Sequence, residues 1–524
     1  MIRINNIRVN IGEDVEQVKR DTAKKLNIRD MTVSKKSLDA RRKDDIHYVF
    51  SFDGYSDDED KLLKNKKFNI VRTEKYEYIF PASKSLSKRP VIVGAGPAGL
   101  FAGLVLAQNG YAPVLLERGR SVDERVKDVE SFWNGGNLDP RSNVQFGEGG
   151  AGTFSDGKLT TNIKDERIKK VLSEFVKHGA PEEILYLSKP HIGTDNLRKI
   201  VKSIRREITS LGGEIRFENR FVGFEAENGS IKGVYSEHNN EKYFIETDNV
   251  ILAIGHSARD TLYMLRDSGI DMRQKPFSIG CRIEHNQEMI SKGQYGDMYR
   301  LLPPADYKTA VHLDGGRSVY TFCMCVGGLV IQSASEFGGI VTNGMSNFAR
   351  NEINANSALL VNVDPSDFGG DDVLAGVELQ RRTEEKAFLC GGGNYNAPAQ
   401  LVGDFLEGRA SEHGGKIIPS IKPGVKWGDM RDIFPDYITA SMREGIILMD
   451  KRISGFADPD AVLTAPETRS SSPVRFVRDG ETMQLNINGL YSAGEGGGHA
   501  GGITSAAVDG IKCAERLVIN NRND

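Results

Sequence analysis

The sequence of 524 residues has little of several features that mark whole classes of protein. Its five cysteines are an odd number without the spacing of a secreted disulfide framework, so we expect reduced thiols in a cytosol. The first residues, MIRINNIRVN, contain no apolar signal-peptide core. Glycine and proline interrupt the longest apolar run, which argues against a membrane span. We therefore expect a cytoplasmic protein without a membrane partner.

Motifs of several enzyme classes are also missing. The net charge of −3 provides no overall field for a nucleic-acid partner. There is no H-E-x-x-H, no paired C-x-x-C and no dense acidic cluster, so we predict no metal site. Without a G-x-S-x-G elbow we set hydrolysis aside. Cys323 and Cys325 form C-x-C, which matches neither a redox C-x-x-C nor a zinc pair, and we interpret both as buried side chains of a strand.

The stretch PVIVGAGPAGLFAGLVLAQNGYAPVLLE, from Pro90 to Glu117, carries the clearest positive signal. A β-type run leads into glycines spaced G-x-G-x-x-G, followed by a helical apolar segment and a second strand. Such glycines permit the tight turn, the approach of a pyrophosphate and close helix packing, and the helix N-terminus favours phosphate. The closing acid lies about 20 residues on, the usual distance for ribose hydroxyls. We predict a dinucleotide site with contacts from Gly94, Gly96, Pro97, Ala98, Gly99, Glu117 and Arg118.

Two later segments favour FAD over NAD. The apolar run Val250 to Gly255 ends in glycine, as do strands that return the chain beneath a cofactor. Gly489 to Glu495 leads through a glycine-rich loop to a predicted helix, 502–518, whose positive end would face the flavin. This segment resembles the closing motif of glutathione-reductase-type FAD domains, with Glu495 in place of the usual Asp. We predict non-covalent FAD, with contacts from Gly255, Gly494, Glu495, Gly502 and Ile503.

Six further motifs resemble the bacterial family of uncharacterised FAD-dependent dehydrogenases, and the resemblance covers nearly the whole chain. More distantly, the FAD segments are similar to fumarate-reductase-type flavoproteins. One departure is Val326, where the family pattern has proline after the C-x-C. The motifs are LDARRKDDI (38–46), FGEGGAGTFSDGKLTT (146–161), GCRIEH (280–285), TFCMCVGGLVIQSASE (321–336), NGMSNFARNEINANSAL (343–359) and ETRSSSPVRFVRD (467–479).

The resemblance implies flavin redox chemistry and roles for the glycine-rich loop from Phe146 to Lys158. In related flavoproteins such a loop lies along the isoalloxazine ring and the pyrophosphate. The resemblance therefore implies that Lys158 lies near the flavin N1–C2=O edge or a substrate anion. The other contacts expected from the loop are Gly149, Gly150, Gly152, Asp156 and Gly157.

At this length we expect two or three domains in an α/β chain. The predicted fold is a glutathione-reductase-type, Rossmann-like FAD-binding domain (87–270 and 481–524) interrupted by a mixed α/β substrate domain (271–480). A small α+β, ferredoxin-like module (1–86) precedes it, with the linker predicted at Pro81 to Arg89. Up to Arg89 the chain has 21 Lys and Arg against 15 Asp and Glu, and the run from Lys35 to Lys43 is basic. We interpret that run as a solvated charged face, with a nucleic-acid contact as the less favoured alternative.

Candidate catalytic residues come from three of these segments. Arg282 and Glu284 share one face of a predicted strand and His285 the other, so either face could line a cavity. His499 is a candidate proton donor beside the flavin helix. Arg469 and Arg475 offer planar forks for a carboxylate or phosphate. For each of them a structural role, in an ion pair or a loop hydrogen bond, is equally open.

The sequence thus predicts an FAD-dependent oxidoreductase that transfers a hydride between the flavin and a small anionic or carbonyl-bearing organic substrate. Electrons could come from NAD(P)H docking transiently or from a redox protein, because no second nucleotide domain is found. Two alternatives stay open. One is an RNA-associated flavoprotein that uses the basic first module, and the other is a non-catalytic flavin-binding protein. The oligomeric state does not follow from the sequence.

Overall fold

In the computed structural model, which describes residues 1–81 and 86–521, the chain begins with a module of six elements. Their order is β-α-β-β-α-β, and every neighbouring strand pair is antiparallel, in the order β2-β3-β1-β4. That element order and strand order define the split βαβ motif. The elements are β1 (Ile2–Asn10), α1 (Val15–Leu26), β2 (Arg29–Asp39), β3 (His47–Tyr55), α2 (Glu59–Leu62) and β4 (Asn69–Arg72).

The fourth strand of this module lies earlier than the sequence indicates. The alternating aromatic residues from Tyr76 to Phe80 predict a strand there, but residues 73–81 form no strand. Instead Tyr78 donates a hydrogen bond to Glu515 at 2.9 Å, and Phe80 packs against Tyr111. The alternation of aromatic residues therefore reflects packing against the following region. Residues 82–85 of the predicted linker lie outside the described residues.

The basic run of the first module is neutralised locally. Arg41 pairs with Asp39 and Arg42 with Asp44, each within the same turn. The backbone of Lys36 pairs with Tyr186 and Ser188 of the next region, with N···O distances of 2.7 and 2.9 Å. The edge of strand β2, which carries part of the run, is thus partly covered by the rest of the protein. The two arginines of the run form ion pairs with neighbouring aspartates.

A Rossmann-like region follows, with a five-stranded sheet in the order β23-β11-β5-β6-β7. All four pairings are parallel, and β5, β6 and β11 are buried on both faces, as crossover helices require. Its elements up to Asp267 are β5 (Val91–Val93), α3 (Pro97–Gln108), β6 (Val114–Leu116), α4 (Val122–Trp133), α5 (Arg167–Lys177), α6 (Thr194–Ser210), β7 (Glu214–Arg216), β8 (Arg220–Glu227), β9 (Ser230–His238), β10 (Glu241–Glu246), β11 (Val250–Leu252) and α7 (Arg259–Asp267).

The sequence from Glu214 to Glu246 predicts four strands, and all four form; β8 to β10 make a separate three-stranded antiparallel sheet. The sequence from Pro181 to Leu187 predicts a helix, but only one short 3-10 turn, Glu182–Leu185, forms there.

The middle of the chain forms a second large sheet of seven strands, in the order β14-β15-β18-β13-β21-β19-β20. Its elements are β12 (Met272–Gln274), β13 (Phe277–Asn286), α8 (Gln287–Tyr295), β14 (Ala310–His312), β15 (Ser318–Cys325), β16 (Leu329–Gln332), β17 (Thr342–Met345), β18 (Asn354–Val363), α9 (Ala375–Cys390), β19 (Ala397–Leu401), α10 (Val402–Glu407), β20 (Val425–Trp427), α11 (Asp436–Asp450), β21 (Val462–Glu467) and β22 (Val474–Phe476).

The chain enters and leaves this middle region at one place. Strand β12 pairs with β22 antiparallel, so the two connections lie side by side. The chain then returns through β23 (Leu490–Ser492) to the open edge of the parallel sheet and ends in α12 (Ile503–Asn520). The prediction of a dinucleotide fold assembled from distant segments thus corresponds to strands that are neighbours in space. Among the described residues no helix is both long and apolar enough to cross a membrane.

Candidate functional site

The glycine-rich turn between β5 and α3 has the backbone that its spacing predicts. Gly94 has a φ of +102°, and a Cβ there would lie 2.4 Å from the Ala253 carbonyl oxygen. A Cβ at Gly99 would lie 1.8 Å from the Gly94 carbonyl oxygen, so the helix packs directly on the turn. Pro97 occupies the first helical position, where its missing N–H costs nothing. The first-turn N–H groups of α3 have no partner within the helix, which suits a phosphate.

The loop after α4 lies on this helix end. The Gly149 N–H donates to the Ala95 carbonyl at 2.8 Å. A Cβ at Gly150 would come within 3.0 Å of the Gly96 Cα, and a Cβ at Gly152 within 3.2 Å of Ile503. The three loop glycines therefore hold two backbone segments and the start of α12 closer than side chains would allow. A cradle of this form fits a pyrophosphate.

Glu117 is both a ligand candidate and a structural residue. Its side chain is buried, and its carboxylate accepts three backbone N–H groups, each at 2.9 Å, from Ala95, Gly119 and Gly147. A carboxylate has about four acceptor positions, so one remains on Oε2 for a ribose hydroxyl. The sequence predicted only the ribose contact. The structure adds that the same carboxylate fixes the turn and the loop on either side of the site.

Arg118 has a different environment from the one predicted. Its guanidinium donates to Asp260 at 3.0 Å and to Thr261 at 2.9 Å, and it stacks 4.3 Å from the centre of the Phe146 ring. Its charge is thus already paired within the protein. Only the remaining N–H groups of Arg118 are available for the predicted contact with the cofactor.

The closing segment lies next to the first turn of α3. A Cβ on Gly255 (φ +71°) would meet nothing within 4 Å, whereas a Cβ on Gly494 would lie 2.9 Å from that of Ala98. Next to them His256 Nδ1 lies 3.4 Å from a Glu495 carboxylate oxygen, and its buried Nε2 has no partner among the described residues. An open glycine, a free imidazole nitrogen and an acid at one edge fit the hydroxyls and phosphates of FAD.

Helix α12 begins at this edge. Gly502, with a φ of +86°, precedes its first residue, Ile503. The Thr504 hydroxyl donates to the Leu159 carbonyl at 2.8 Å, which fixes the end of the loop against the helix. The positive end of α12 therefore lies beside the segment Asp156 to Leu159. This arrangement suits the negatively charged edge of a reduced flavin.

Asp156 requires a correction, because its carboxylate binds protein groups instead of the cofactor. It is buried and accepts from Arg350 Nη2 at 2.8 Å and from the Ser346 hydroxyl. Arg350 and Lys158 lower its pKa, although burial by itself would raise it. Lys158 is half-buried, with its Nζ 4.0 Å from that carboxylate. Asp156 thus joins the loop to the segment after β17, while the Lys158 ammonium keeps capacity for a ligand.

Arg282 and Arg469 also require correction as substrate ligands. Arg282 is fully buried and donates to Glu467 at 3.0 Å and to Asn356. Arg469 is buried and holds Glu384 through two nitrogens, at 3.0 and 2.8 Å. Both forks are therefore filled by protein carboxylates. We predicted substrate contacts because arginine commonly binds anions. The sequence did not reveal the partner glutamates, because they lie on distant elements.

The two neighbouring candidates on β13, Glu284 and His285, are also bound to protein groups. Glu284 accepts from Ser420 and Asn354, and His285 Nε2 lies 2.9 Å from the Phe456 carbonyl oxygen, both within the core. Both side chains are fully buried.

Arg475 and His499, in contrast, line one cavity of about 530 Å³. Arg478, which also lines it, is held by Asp509 through two bonds of 2.8 and 3.0 Å. Burial, followed by the charge of Arg478, lowers the pKa of His499 to about 4. The lining contains no acidic side chain and consists of Arg273, Arg475, Phe476, Val477, Arg478, Gly480, Met483, His499, Lys512 and Arg516.

This cavity was only partly foreseen from the sequence. The guanidiniums of Arg273, Arg475 and Arg516 make no hydrogen bond or ion pair with any residue in the described ranges, 1–81 and 86–521. Lys512 and Arg516 are four residues apart on α12, so they share a face. That basic pair was the one local signal for the cavity, and no motif connects it to Arg273 in β12.

Within residues 1–81 and 86–521 there is one group of possible metal ligands, although we predicted none. Glu174, His178 and Glu207 bring ligand atoms within 4.8 Å of one another. However, Lys170 donates to Glu174 at 2.6 Å and Lys177 to Glu207 at 2.7 Å. Two ammonium groups on the same carboxylates disfavour a cation, so we interpret this group as an ion-pair network between α5 and α6.

Sequence comparisons relate this chain to FAD-dependent proteins. Residues 276–470 match the family described as "FAD-dependent protein, C-terminal domain-like", and residues 1–55 match a domain of unknown function. An uncharacterized protein of Clostridium beijerinckii is 47% identical over 99% of this chain and 98% of its own length. The digeranylgeranylglycerophospholipid reductase of Haloferax volcanii is 29% identical over 44% of this chain and 52% of its own.

Solved structures overlap more weakly. The flavin-dependent brominase Bmp2 covers 83% of this chain and 80% of its own, with 11% identity and a TM-score of 0.38. A geranylgeranyl bacteriochlorophyll reductase-like protein of Thermoplasma acidophilum covers 83% and 79%, with 13% identity and a TM-score of 0.37. Overlap at this level establishes neither the fold nor the activity of this chain.

Proposed function

We propose that this chain, which belongs to a family of FAD-dependent proteins together with the Clostridium beijerinckii relative, is an oxidoreductase that binds FAD non-covalently and transfers a hydride to or from a small anionic organic molecule. The observation that carries the proposal is the cradle described above. The turn at Gly94, the loop at Gly150 and the start of α12 meet at one edge of the parallel sheet.

The residues of the cradle divide the binding of FAD among them. We assign the pyrophosphate to the first turn of α3 with the loop glycines, and a ribose hydroxyl to the remaining acceptor position of Glu117. The N-terminus of α12 would favour negative charge on the flavin. When bound, FAD supplies the hydride chemistry, and the protein positions the reactants. The proposed domain limits are 1–86, 87–270 with 481–524, and 271–480.

An anionic substrate is supported by the cavity at Arg475. Three unpaired guanidiniums and no lining acid make it a place where carboxylates or phosphates gain charge-assisted hydrogen bonds. Lys158 remains our candidate for an electrostatic role beside the flavin. We no longer assign such a role to Arg282 or Arg469, because Glu467 and Glu384 occupy their forks.

The first experiment asks whether the cofactor is FAD. The purified protein should be yellow, and heating should release FAD, identified by chromatography against FAD and FMN standards. FMN alone, or a colourless protein after incubation with FAD, would overturn the proposal. Anaerobic mixing with NADH, with NADPH and with a reduced ferredoxin then compares a nucleotide donor with a redox protein, using bleaching of the flavin absorbance as the readout.

A further inference from the structure

The end of β15 departs from regular strand geometry at two cysteines. The pairing of β15 with β18 shifts register between Phe322 and Cys325, and Cys323 has a φ of +43°. A left-handed conformation in a residue other than glycine costs on the order of 1 kcal/mol and is common at functional sites. The Cys325 thiol donates to the Cys323 carbonyl oxygen, with the sulfur 3.6 Å from that oxygen. The bulge therefore turns the Cys325 side chain back onto the backbone of Cys323.

Positive charge surrounds this pair. The Arg282 Nη2 lies 3.1 Å from the Cys323 carbonyl oxygen and 3.7 Å from the Cys325 sulfur. The hydrogen bond from Cys325 lowers the pKa of Cys323 to about 6 despite burial, with further help from Lys158 and Arg282. The pKa of Cys325 is raised, because it keeps the shared proton and is buried. Cys323 is partly exposed and Cys325 is buried, so Cys323 carries the accessible sulfur of the pair.

The other three cysteines lack this environment. Cys281 and Cys513 are buried, and burial raises the pKa of each thiol. Cys390 is half-buried on α9, and burial raises its pKa as well. A low-pKa thiolate beside a second thiol is the arrangement that thiol–disulfide chemistry requires.

The pair lies where the seven-stranded sheet meets the glycine-rich loop. Lys158, whose charge acts on Cys323, is one residue from Leu159, which accepts the hydrogen bond from the first turn of α12. Space beside the sulfurs depends on Gly344, since a Cβ there would lie 2.8 Å from the Cys325 sulfur. The thiols therefore adjoin the loop that we assign to the flavin.

We propose that Cys323 and Cys325 form a redox-active pair, which cycles between two thiols and a disulfide as a second two-electron centre next to the flavin site. Oxidation of the two thiols breaks both S–H bonds, forms one Sγ–Sγ bond, releases two protons and passes two electrons to an acceptor. The acceptor is the oxidised flavin of the proposed function, or a small disulfide that is itself reduced to two thiols. In the reverse direction the disulfide accepts two electrons and two protons.

The test counts electrons and thiols separately. The FAD-loaded protein is oxidised with excess glutathione disulfide, freed of it, and titrated anaerobically with dithionite. We expect the wild type to take up four electrons per FAD, and Cys323→Ser and Cys325→Ser to take up only the two of the flavin. Cys390→Ser is the matched control and should take up four. Two electrons in the wild type would overturn the proposal.

Peptide mapping of the oxidised wild type decides the question without any variant and without bound FAD. We expect the peptide that contains both cysteines to be lighter by two hydrogen atoms and to resist alkylation until it is reduced. If both cysteines are alkylated directly, or each carries glutathione, the intramolecular disulfide is excluded. A disulfide in protein that binds no flavin would support the pair while removing the proposed FAD site, so the two failures are distinguishable.

Discussion

Two groups of arginines in the same half of the chain have opposite environments. Arg282 and Arg469 are buried, and each holds a buried glutamate. Arg273, Arg475 and Arg516 line a cavity without a side-chain partner among the described residues. Sequence motifs mark members of both groups, yet only the second group is available to a ligand. An arginine is thus available to bind a ligand when no carboxylate of the protein lies within reach of its guanidinium.

The paired group holds the two halves of the molecule together. Glu384 on α9 lies between Arg259 on α7 and Arg469 after β21, and each arginine donates two bonds, of 2.8 to 3.0 Å. Burial raises the pKa of Glu384, but the two arginines lower it well below its usual range. Glu384 is therefore one of the groups that join the Rossmann-like region to the middle region.

The largest effect is expected from removal of that carboxylate. Glu384→Gln would leave two buried guanidiniums with only the partly exposed Glu336 as a counter-charge, at a cost of about 3–5 kcal/mol. We expect a clear fall in the midpoint of thermal unfolding, measured by scanning calorimetry, and loss of bound FAD as the regions separate. The adjacent, exposed Glu385→Gln is the matched control. Equal midpoints for the two variants would mean that the pairing contributes no stability.

The second largest effect is expected at Glu117, the buried glutamate with one free acceptor position. Glu117→Ala removes the ribose contact, worth on the order of 1.5–3 kcal/mol for a charged acceptor, and leaves three backbone N–H groups unpaired. We expect weaker FAD binding, measured by fluorescence as flavin is titrated into the apoprotein, and a lower unfolding midpoint even without FAD. If the midpoint of the apoprotein is unchanged, the three backbone bonds are not stabilising. If FAD affinity is unchanged, the ribose assignment is wrong.

A smaller effect should distinguish the arginines that line the cavity from an arginine elsewhere on the surface. Arg475→Ala and Arg273→Ala should each weaken binding of pyrophosphate or citrate about tenfold, the effect of losing one charge-assisted bond of about 1.4 kcal/mol. Isothermal titration calorimetry measures the affinity, and Arg206→Ala on the exposed face of α6 is the control. Arg469→Lys should leave the affinity unchanged, because that fork is filled by Glu384. Weakening by Arg469→Lys alone would reverse our assignment of the two groups.

The smallest effect concerns the histidine of the cavity. Its pKa is about 4 in the folded protein, against about 6.5 for an unperturbed imidazole. Between these values the unfolded chain binds a proton that the folded protein does not, so stability falls as pH decreases from 6.5 to 4. The free energy of unfolding should therefore fall less for His499→Gln than for the wild type between pH 6.5 and 4, by about 1–2 kcal/mol. Denaturant titrations at several pH values measure this difference. Exposed His413→Gln is the control, and parallel curves for His499→Gln and the wild type would refute the assignment.

The sequence alone determined the elements whose physics is local. Gly94, Gly96 and Gly99 specify the turn and the helix packing through backbone sterics, and Glu117 follows at a fixed distance along one βαβ unit. The strands of the FAD segments were recognisable from short apolar runs bounded by glycine. For the same reason the motifs sufficed to indicate the cofactor.

Only the tertiary structure decided which charged and polar side chains are free. Glu384 lies 85 residues from Arg469, and Arg273 lies far from Arg516, so no pattern along the chain could pair the first two or bring the others to one cavity. The same holds for Cys323, whose charged neighbours Lys158 and Arg282 come from the loop and from β13. Electrostatic energies depend on distance in space and on burial, and packing of separate elements sets both.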